Sequence, residues 1–291
     1  MKSVSERAVS ERMATARRRA RLGARDAAVR AAWALPHDVR RSLYRRVRPR
    51  QAEFFDGLRS HELGEVPGQA ISLVPFDTHQ CIFVHVPKCA GMSVGRSLFG
   101  NYGGGHFGVT TYKMIYPRAE FDAYFKFAVV RNPWDRMLSG YRFLRGVYQQ
   151  YLDEFGRVPL PTEHAGADAS LRTKLSSKFE VNQYQDFEAF VHGWVNPTNL
   201  RAHEQFRPQH RFVCDPDGTL RLDYVARFER LADDFATISD RLGVGAHLRH
   251  DNRSVGAESS YRDHYTPAMR DVVADHFATD IRLFDYSFDD G

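Results

Sequence analysis

The chain has 291 residues, 43% hydrophobic and 26% charged, enough for one large domain or a domain with an appendage. No stretch approaches the roughly 20 apolar residues that span a bilayer, and the basic N-terminus lacks the apolar core of a secretory signal. Cys81, Cys89 and Cys214 form no Cys-x-x-Cys pair and the 13 histidines fall in no metal-site spacing, which argues against structural disulfides and zinc and for a reduced, cytoplasmic protein.

The net charge of +5 hides an asymmetry. Residues 1–50 hold 15 Lys and Arg against 4 Asp and Glu, whereas the remainder holds 26 against 32. Residues 1–34 are rich in Ala and Arg and free of Pro, which favours helix. Around Pro36, the residues Leu35, Val39, Leu43 and Val47 recur every four positions and predict an amphipathic helix. Residues 1–70 thus read as a basic helical extension. It could meet anionic lipid at a membrane surface or a nucleic acid, or simply pack on the body or on a second copy in a homo-oligomer. Residues 60–79, with Pro67, Gly68 and Pro75, predict a loop-like boundary, and residues 75–291 form the main domain.

Cys81–Val86 is a short apolar, β-branched run suited to a buried strand. Pro87 ends it, Gly91 frees the backbone, and a helix is predicted from Met92 to Gly100. Strand, tight turn and helix start make an anion cradle: the helix N-terminus presents unpaired N–H groups, Lys88 adds a full charge and Ser93 a hydroxyl. The Walker A spacing is absent, so ATP with magnesium does not follow. The Gly-rich segment after Asn101 then carries His106.

Residues 117–124 predict a short helix and Phe125–Val130 a second buried strand, with Arg131 at its carboxyl end. Asn132 can cap the next helix, with Pro133 at its first position and Ser139 further along. Residues 142–181 show no periodicity and predict a mobile loop that shapes a cleft. Phe187–Trp194 predicts a helix, and Phe212–Cys214 and Leu222–Phe228 predict strands around the Pro216-Asp-Gly218 turn. Leu231, Phe235, Ile238 and Leu242 space a helix that stops at Gly243. A polar stretch over 249–264 holds Asn252, Arg253 and Ser254. Thr266 caps a last helix with apolar face Met269, Val272, Val273, His276, Phe277 and Phe284. The fold class is α/β, with a P-loop-like parallel sheet flanked by helices, in which ligands sit beyond the carboxyl ends of the strands.

Val86-Pro87-Lys88-Cys89-Ala90-Gly91-Met92-Ser93 resembles the 5′-phosphosulfate loop of carbohydrate sulfotransferases. Val130-Arg-Asn-Pro-Trp-Asp-Arg-Met-Leu-Ser-Gly-Tyr141 resembles their 3′-phosphate motif, the longer and more specific of the two. Arg227-Phe-Glu229, Asn252-Arg-Ser254 and the stretch from Tyr265 to Tyr286 also look like the family that includes heparan-sulfate 2-O-sulfotransferase.

The resemblance implies 3′-phosphoadenosine 5′-phosphosulfate as sulfuryl donor and a hydroxyl acceptor on a glycan or glycolipid. No metal is expected, because Lys88 and the helix N–H groups can supply the cationic field and no carboxylate cluster lies nearby in the sequence. It implies that Lys88 and the N–H groups of 89–93 hold the 5′ end, with Lys88 also stabilising the leaving oxygen. Arg131 and Ser139 would hold the 3′-phosphate, and Asn252, Arg253 and Ser254 would close over the nucleotide. His106 would be the base, since a neutral imidazole suits proton removal near neutral pH. The residues by themselves leave two rivals open, a nucleotide-kinase-like phosphotransferase and a non-catalytic module that binds anionic ligands through its basic arm. Each residue also has a plainer role available: Arg131 could pair with Asp135, Ser139 could pack in its helix, and His85 and Trp134 could belong to the core.

Overall fold

The computed structural model describes residues 27, 31, 33–60, 71–155, 181–249 and 260–290. In chain order it contains α1 (His37–Val47), α2 (Pro49–Ser60), α3 (Val74–Thr78), β1 (Cys81–Val84), α4 (Gly91–Phe99), α5 (Val109–Ile115), α6 (Arg118–Ala123) and β2 (Phe125–Val130). There follow α7 (Pro133–Phe155), α8 (Phe187–Trp194), α9 (Pro197–Ala202), α10 (His210–Val213), β3 (Tyr224–Arg227), α11 (Leu231–Leu242), α12 (Pro267–His276) and α13 (Ala278–Phe284). The strands lie in the order β1-β2-β3 with β1 parallel to β2, so the α/β reading holds.

The chain divides into two compact units. The first comprises residues up to Val86, Leu98–Ala128 and His210–Val225. Here Cys81 pairs with Phe125 and Val84 with Ala128. All four residues of β1 are fully buried. A strand covered on both faces reads as a continuous apolar run, which is why periodicity of two is missing from its sequence. Phe83 stacks on Phe127 with centroids 5.1 Å apart, and Phe76 meets Phe99 edge-on at 5.3 Å. Helix α1 docks by polar contacts. His37 Nε2 lies 3.0 Å from the Tyr116 carbonyl, and Arg41 Nε donates to the Ile115 carbonyl at 3.1 Å. Both carbonyls sit at the C-terminal end of α5, where orphan acceptors and the negative dipole end favour such donors. Lys113 on α5 pairs with the buried Asp215 at 2.6 Å, tying the segment after α10 to this helix.

The second unit comprises Pro87–Ser97, Val129–Gln209 and Ala226–Gly291. Its spine is α7, and Asn132 caps it as its position predicts, Oδ1 accepting from the Trp134 N–H at 3.1 Å. The core joins Trp134, Met137, Tyr141 and Leu144 of α7 with Phe190 and Trp194 of α8, Phe206, and Met269 and Val273 of α12. Trp134 is a core residue, its indole Nε1 donating to the Arg270 carbonyl at 3.0 Å. Gly140 lets α7 approach closely, because a Cβ there would lie 2.6 Å from the Phe206 ring.

Several predicted elements need correction. Helix α7 runs on to Phe155, well into the stretch read as an aperiodic loop. Its buried face ends at Leu144, but the helix continues beyond it, with Gln149 donating to Asp153 one turn on at 2.8 Å. Phe212–Cys214 is no strand. His210–Val213 forms a helical turn and Cys214 makes only an isolated antiparallel bridge to Leu220, since a short apolar run does not distinguish the two states. The second predicted strand is shorter, Tyr224–Arg227. The boundary read as loop contains α3, and α5 and α9 went unread. The last helix is broken at Phe277 into α12 and α13. Of the predicted N-terminal helix only residues 27, 31, 33 and 34 are described; 156–180 of the predicted loop, and Asn252, Arg253 and Ser254, lie outside the described residues.

Candidate functional site

The cradle begins where β1 has ended, and its backbone is unusual. Lys88 has φ of 69° and Ala90 has φ of 57°, both in the left-handed region that favours glycine. Holding two such residues costs of order 1–3 kcal/mol each, and strain of this kind collects at ligand sites. Left-handed residues in a turn aim successive N–H groups into a common concavity that suits an anion. The first turn of α4 then closes with the Val94 N–H donating to the Ala90 carbonyl at 3.1 Å. Gly91 and Ser93 are buried, while the Met92 side chain points to solvent at 37% exposure.

A buried guanidinium holds the turn from behind. Arg136 of α7 is 2% exposed and donates to three carbonyls, Pro87 at 2.9 Å, Gln205 at 3.1 Å and Arg207 at 2.9 Å. Cys89 is also buried, with Sγ 3.4 Å from Gln209 Oε1. Burial raises its thiol to about 12, so it is a neutral donor rather than a nucleophile. Lys88 Nζ stands 4.0 Å over the ring of Phe143. Burial first, and then Arg131, lower its ammonium to about 8.

The second strand-to-helix turn lies in the same unit. Arg131 gives Nε and Nη2 to Asp135 at 2.7 and 2.8 Å, and Nη1 to the Lys88 carbonyl at 3.1 Å. Its guanidinium sits 3.9 Å over Phe228. The plainer pairing with Asp135 is therefore present, and it leaves the fork within hydrogen-bond reach of the cradle backbone. Ser139 is buried on α7. Asn132 offers its backbone N–H to Glu229 Oε1 at 2.6 Å, and Glu229 Oε2 accepts from the Tyr286 hydroxyl at 2.9 Å. The motif residues Glu229 and Tyr286 thus frame the turn.

One residue joins the two turns. Gln209 is fully buried; Oε1 accepts from the Arg131 N–H at 2.9 Å and from the Cys89 thiol, and Nε2 donates to the Arg131 carbonyl at 2.8 Å. Its own N–H donates to Asp280 Oδ2 at 2.6 Å. The side-chain amide pairs with a peptide unit as a neighbouring strand would. Sequence reading missed Gln209, because a polar residue after Pro208 in an aperiodic stretch carries no local sign of a long-range partner. It likewise left Arg136 without a role.

His106 belongs to the first unit, in a loop where Gly103 and Gly105 take φ of 65° and 73°. His85, one residue past β1, is buried against it, the rings meeting edge-on with centroids 4.6 Å apart. His85 also stacks on Phe83 at 5.7 Å. The core role read for His85 is thus joined by contact with the candidate base. Among the described residues no group of three or more His, Cys, Asp or Glu side chains could hold a metal ion.

Residues 72–287 match a model of the sulfotransferase family. Carbohydrate sulfotransferase 14 of Danio rerio is 29% identical over 130 residues, covering 45% of this chain and 33% of that protein. Carbohydrate sulfotransferase 14 of Homo sapiens is 26% identical over 170 residues, covering 56% of this chain and 42% of that protein. The chain thus spans less than half the length of these curated relatives. No solved structure matches it significantly. With the match extending from just ahead of the cradle to the C-terminal helices, the chain belongs to the sulfotransferase family.

Proposed function

We propose that the protein transfers the sulfuryl group of 3′-phosphoadenosine 5′-phosphosulfate to a hydroxyl of a carbohydrate. The observation that carries this reading is the joining of two cationic strand-to-helix turns through Gln209, with an Arg131 fork in reach of the Lys88 carbonyl. A ligand anionic at two ends needs two such turns, whereas a single phosphate needs one. Bound there, the donor supplies an activated sulfuryl group whose bond to the 5′-phosphate oxygen breaks on transfer.

The chain's residues divide the work. The N–H groups of 89–93 and the Lys88 ammonium hold the 5′ end, and Lys88 stabilises negative charge on the departing oxygen. Arg131 and Ser139 hold the 3′-phosphate, while Asp135 and Phe228 keep the guanidinium plane in place. Asn252, Arg253 and Ser254 are assigned to nucleotide contact from their motif alone. His106 accepts the proton of the attacking hydroxyl, and His85 braces its ring. Turnover rests on positioning and charge, as in phosphoryl transfer.

Calorimetry with 3′,5′-ADP, paired with transfer of label from the sulfuryl donor to a panel of glycans, tests the reading. Binding of 3′,5′-ADP without magnesium and labelling of a glycan are expected. Tighter, magnesium-dependent binding of ATP would assign the site to a nucleotide kinase instead. An absence of 3′,5′-ADP binding would remove the two-anion site altogether.

A further inference from the structure

Helix α1 is turned the opposite way from an ordinary surface helix. The stripe whose spacing predicts a buried face is exposed: Leu35 at 37%, Val39 at 51%, Leu43 at 45% and Val47 at 64%. What the helix buries is its polar side. Arg40 is 7% exposed, its guanidinium 3.8 Å over the Trp33 ring. His37 and Arg41 meet the carbonyls at the end of α5, and Arg45 pairs with Asp56 at 2.9 Å. The unit is therefore satisfied without the stripe, and Phe54 on α2 adds a further exposed ring at 48%. Val39, Leu43 and Val47 alone run along about 12 Å of helix at the usual rise. Single exposed apolar residues need no explanation, but a row of them on a helix does.

Charge decides what covers the row. Arg46, Arg48 and Arg50 are all exposed at its C-terminal end. The first 50 residues hold 15 Lys and Arg against 4 Asp and Glu, and the remainder of the chain is net acidic. Pairing of two copies through this face would bring two such basic segments together, which their net like charge opposes. A surface that is apolar below and negative above suits both features. We propose that the exposed face of α1 docks in the plane of an anionic lipid bilayer. Val39, Leu43 and Val47 enter the boundary between headgroups and acyl chains, and Arg46, Arg48 and Arg50 reach up to lipid phosphates. The helix lies on the membrane; no helix among the described residues is long and apolar enough to cross one.

Flotation of the full chain with vesicles tests this. Vesicles of phosphatidylcholine and phosphatidylglycerol in equal parts should carry the protein up the gradient, vesicles of phosphatidylcholine alone should not, and added salt should weaken the binding. Combined Val39→Asp, Leu43→Asp and Val47→Asp should reduce partitioning roughly tenfold or more, with circular dichroism and the thermal midpoint unchanged. Combined Arg46→Glu, Arg48→Glu and Arg50→Glu should do the same without touching the apolar row, so the proposal stays exposed if the first variant misfolds. Equal binding to both vesicle types overturns it, as does full binding by either variant. So does self-association that the aspartate variant abolishes, which would name a second copy as the occupant.

Discussion

The two strand-to-helix turns of the second unit, proposed to hold the two anionic ends of one ligand, are built by opposite means. The turn at Lys88–Gly91 works through its backbone. Lys88 and Ala90 are held left-handed, the N–H groups of the helix start are the proposed donors, and Arg136 props the turn from its carbonyl side. The turn at Arg131–Pro133 works through a side chain. There a planar fork is the proposed donor, held by Asp135 and Phe228, and the peptide behind it is clasped by Gln209. A backbone cradle depends little on which small side chains it carries but strongly on whatever fixes its φ. A side-chain cradle is the reverse.

The largest effect is expected where the first turn uses a side chain after all. Lys88→Ala should lower turnover by about 10²–10³-fold, as for loss of one donor to a developing oxyanion, while 3′,5′-ADP affinity changes far less. Equal losses in turnover and affinity would make Lys88 a mere binding residue. Its titration gives a second handle. Because the folded value lies near 8 and the ordinary value is 10.5, the folded chain binds fewer protons than the unfolded one between those limits. This group's contribution to stability therefore rises with pH across that window. Turnover moves the other way, since the charge leaves as pH passes about 8. The kcat/KM profile should fall on that alkaline side, and Lys88→Arg should flatten the fall, because guanidinium keeps its charge.

Next in size is the prop. Arg136→Ala leaves three carbonyl acceptors without their donor and should cost about 3 kcal/mol of stability, read from denaturant melts. A loss below about 0.5 kcal/mol, the range of ordinary surface substitutions, would mean that the cradle holds itself. The side-chain turn should respond in binding rather than in folding. Arg131→Ala is expected to weaken 3′,5′-ADP by about 2 kcal/mol, roughly thirtyfold, with little change in melting. Gln209→Leu, which unpairs a peptide behind Arg131 and the Cys89 thiol, should lower stability and 3′,5′-ADP affinity together, by about 1–3 kcal/mol of stability. Unchanged affinity there would separate the two turns. The smallest effect probes strain. Ala90→Gly removes a Cβ from a left-handed position, and the relief of about 1–2 kcal/mol is partly offset by glycine's greater entropy loss. A net gain of about 0.5–1 kcal/mol in denaturant melts is expected. A net loss would show that the turn is unstrained.

By sequence alone, β1, β2, the cap at Asn132 and the helices α6, α8 and α11 could be placed. Each depends on neighbours within a few residues: an apolar run, an Asn-Pro pair, a fourfold spacing. The cationic residues at both strand ends were legible for the same reason, because chain order puts them there. What tertiary structure alone decided involves partners far apart in sequence. Gln209 meets Arg131 across 78 residues, Arg136 reaches Arg207 across 71, and His85 comes against His106 from a different element. No local pattern encodes such pairs, since only packing chooses which buried donor satisfies which acceptor. Helix α1 makes the same point from the other side. Its fourfold apolar spacing correctly announced a helix with one apolar face, yet which face turns inward was settled by the carbonyls ending α5, which needed the donors of His37 and Arg41.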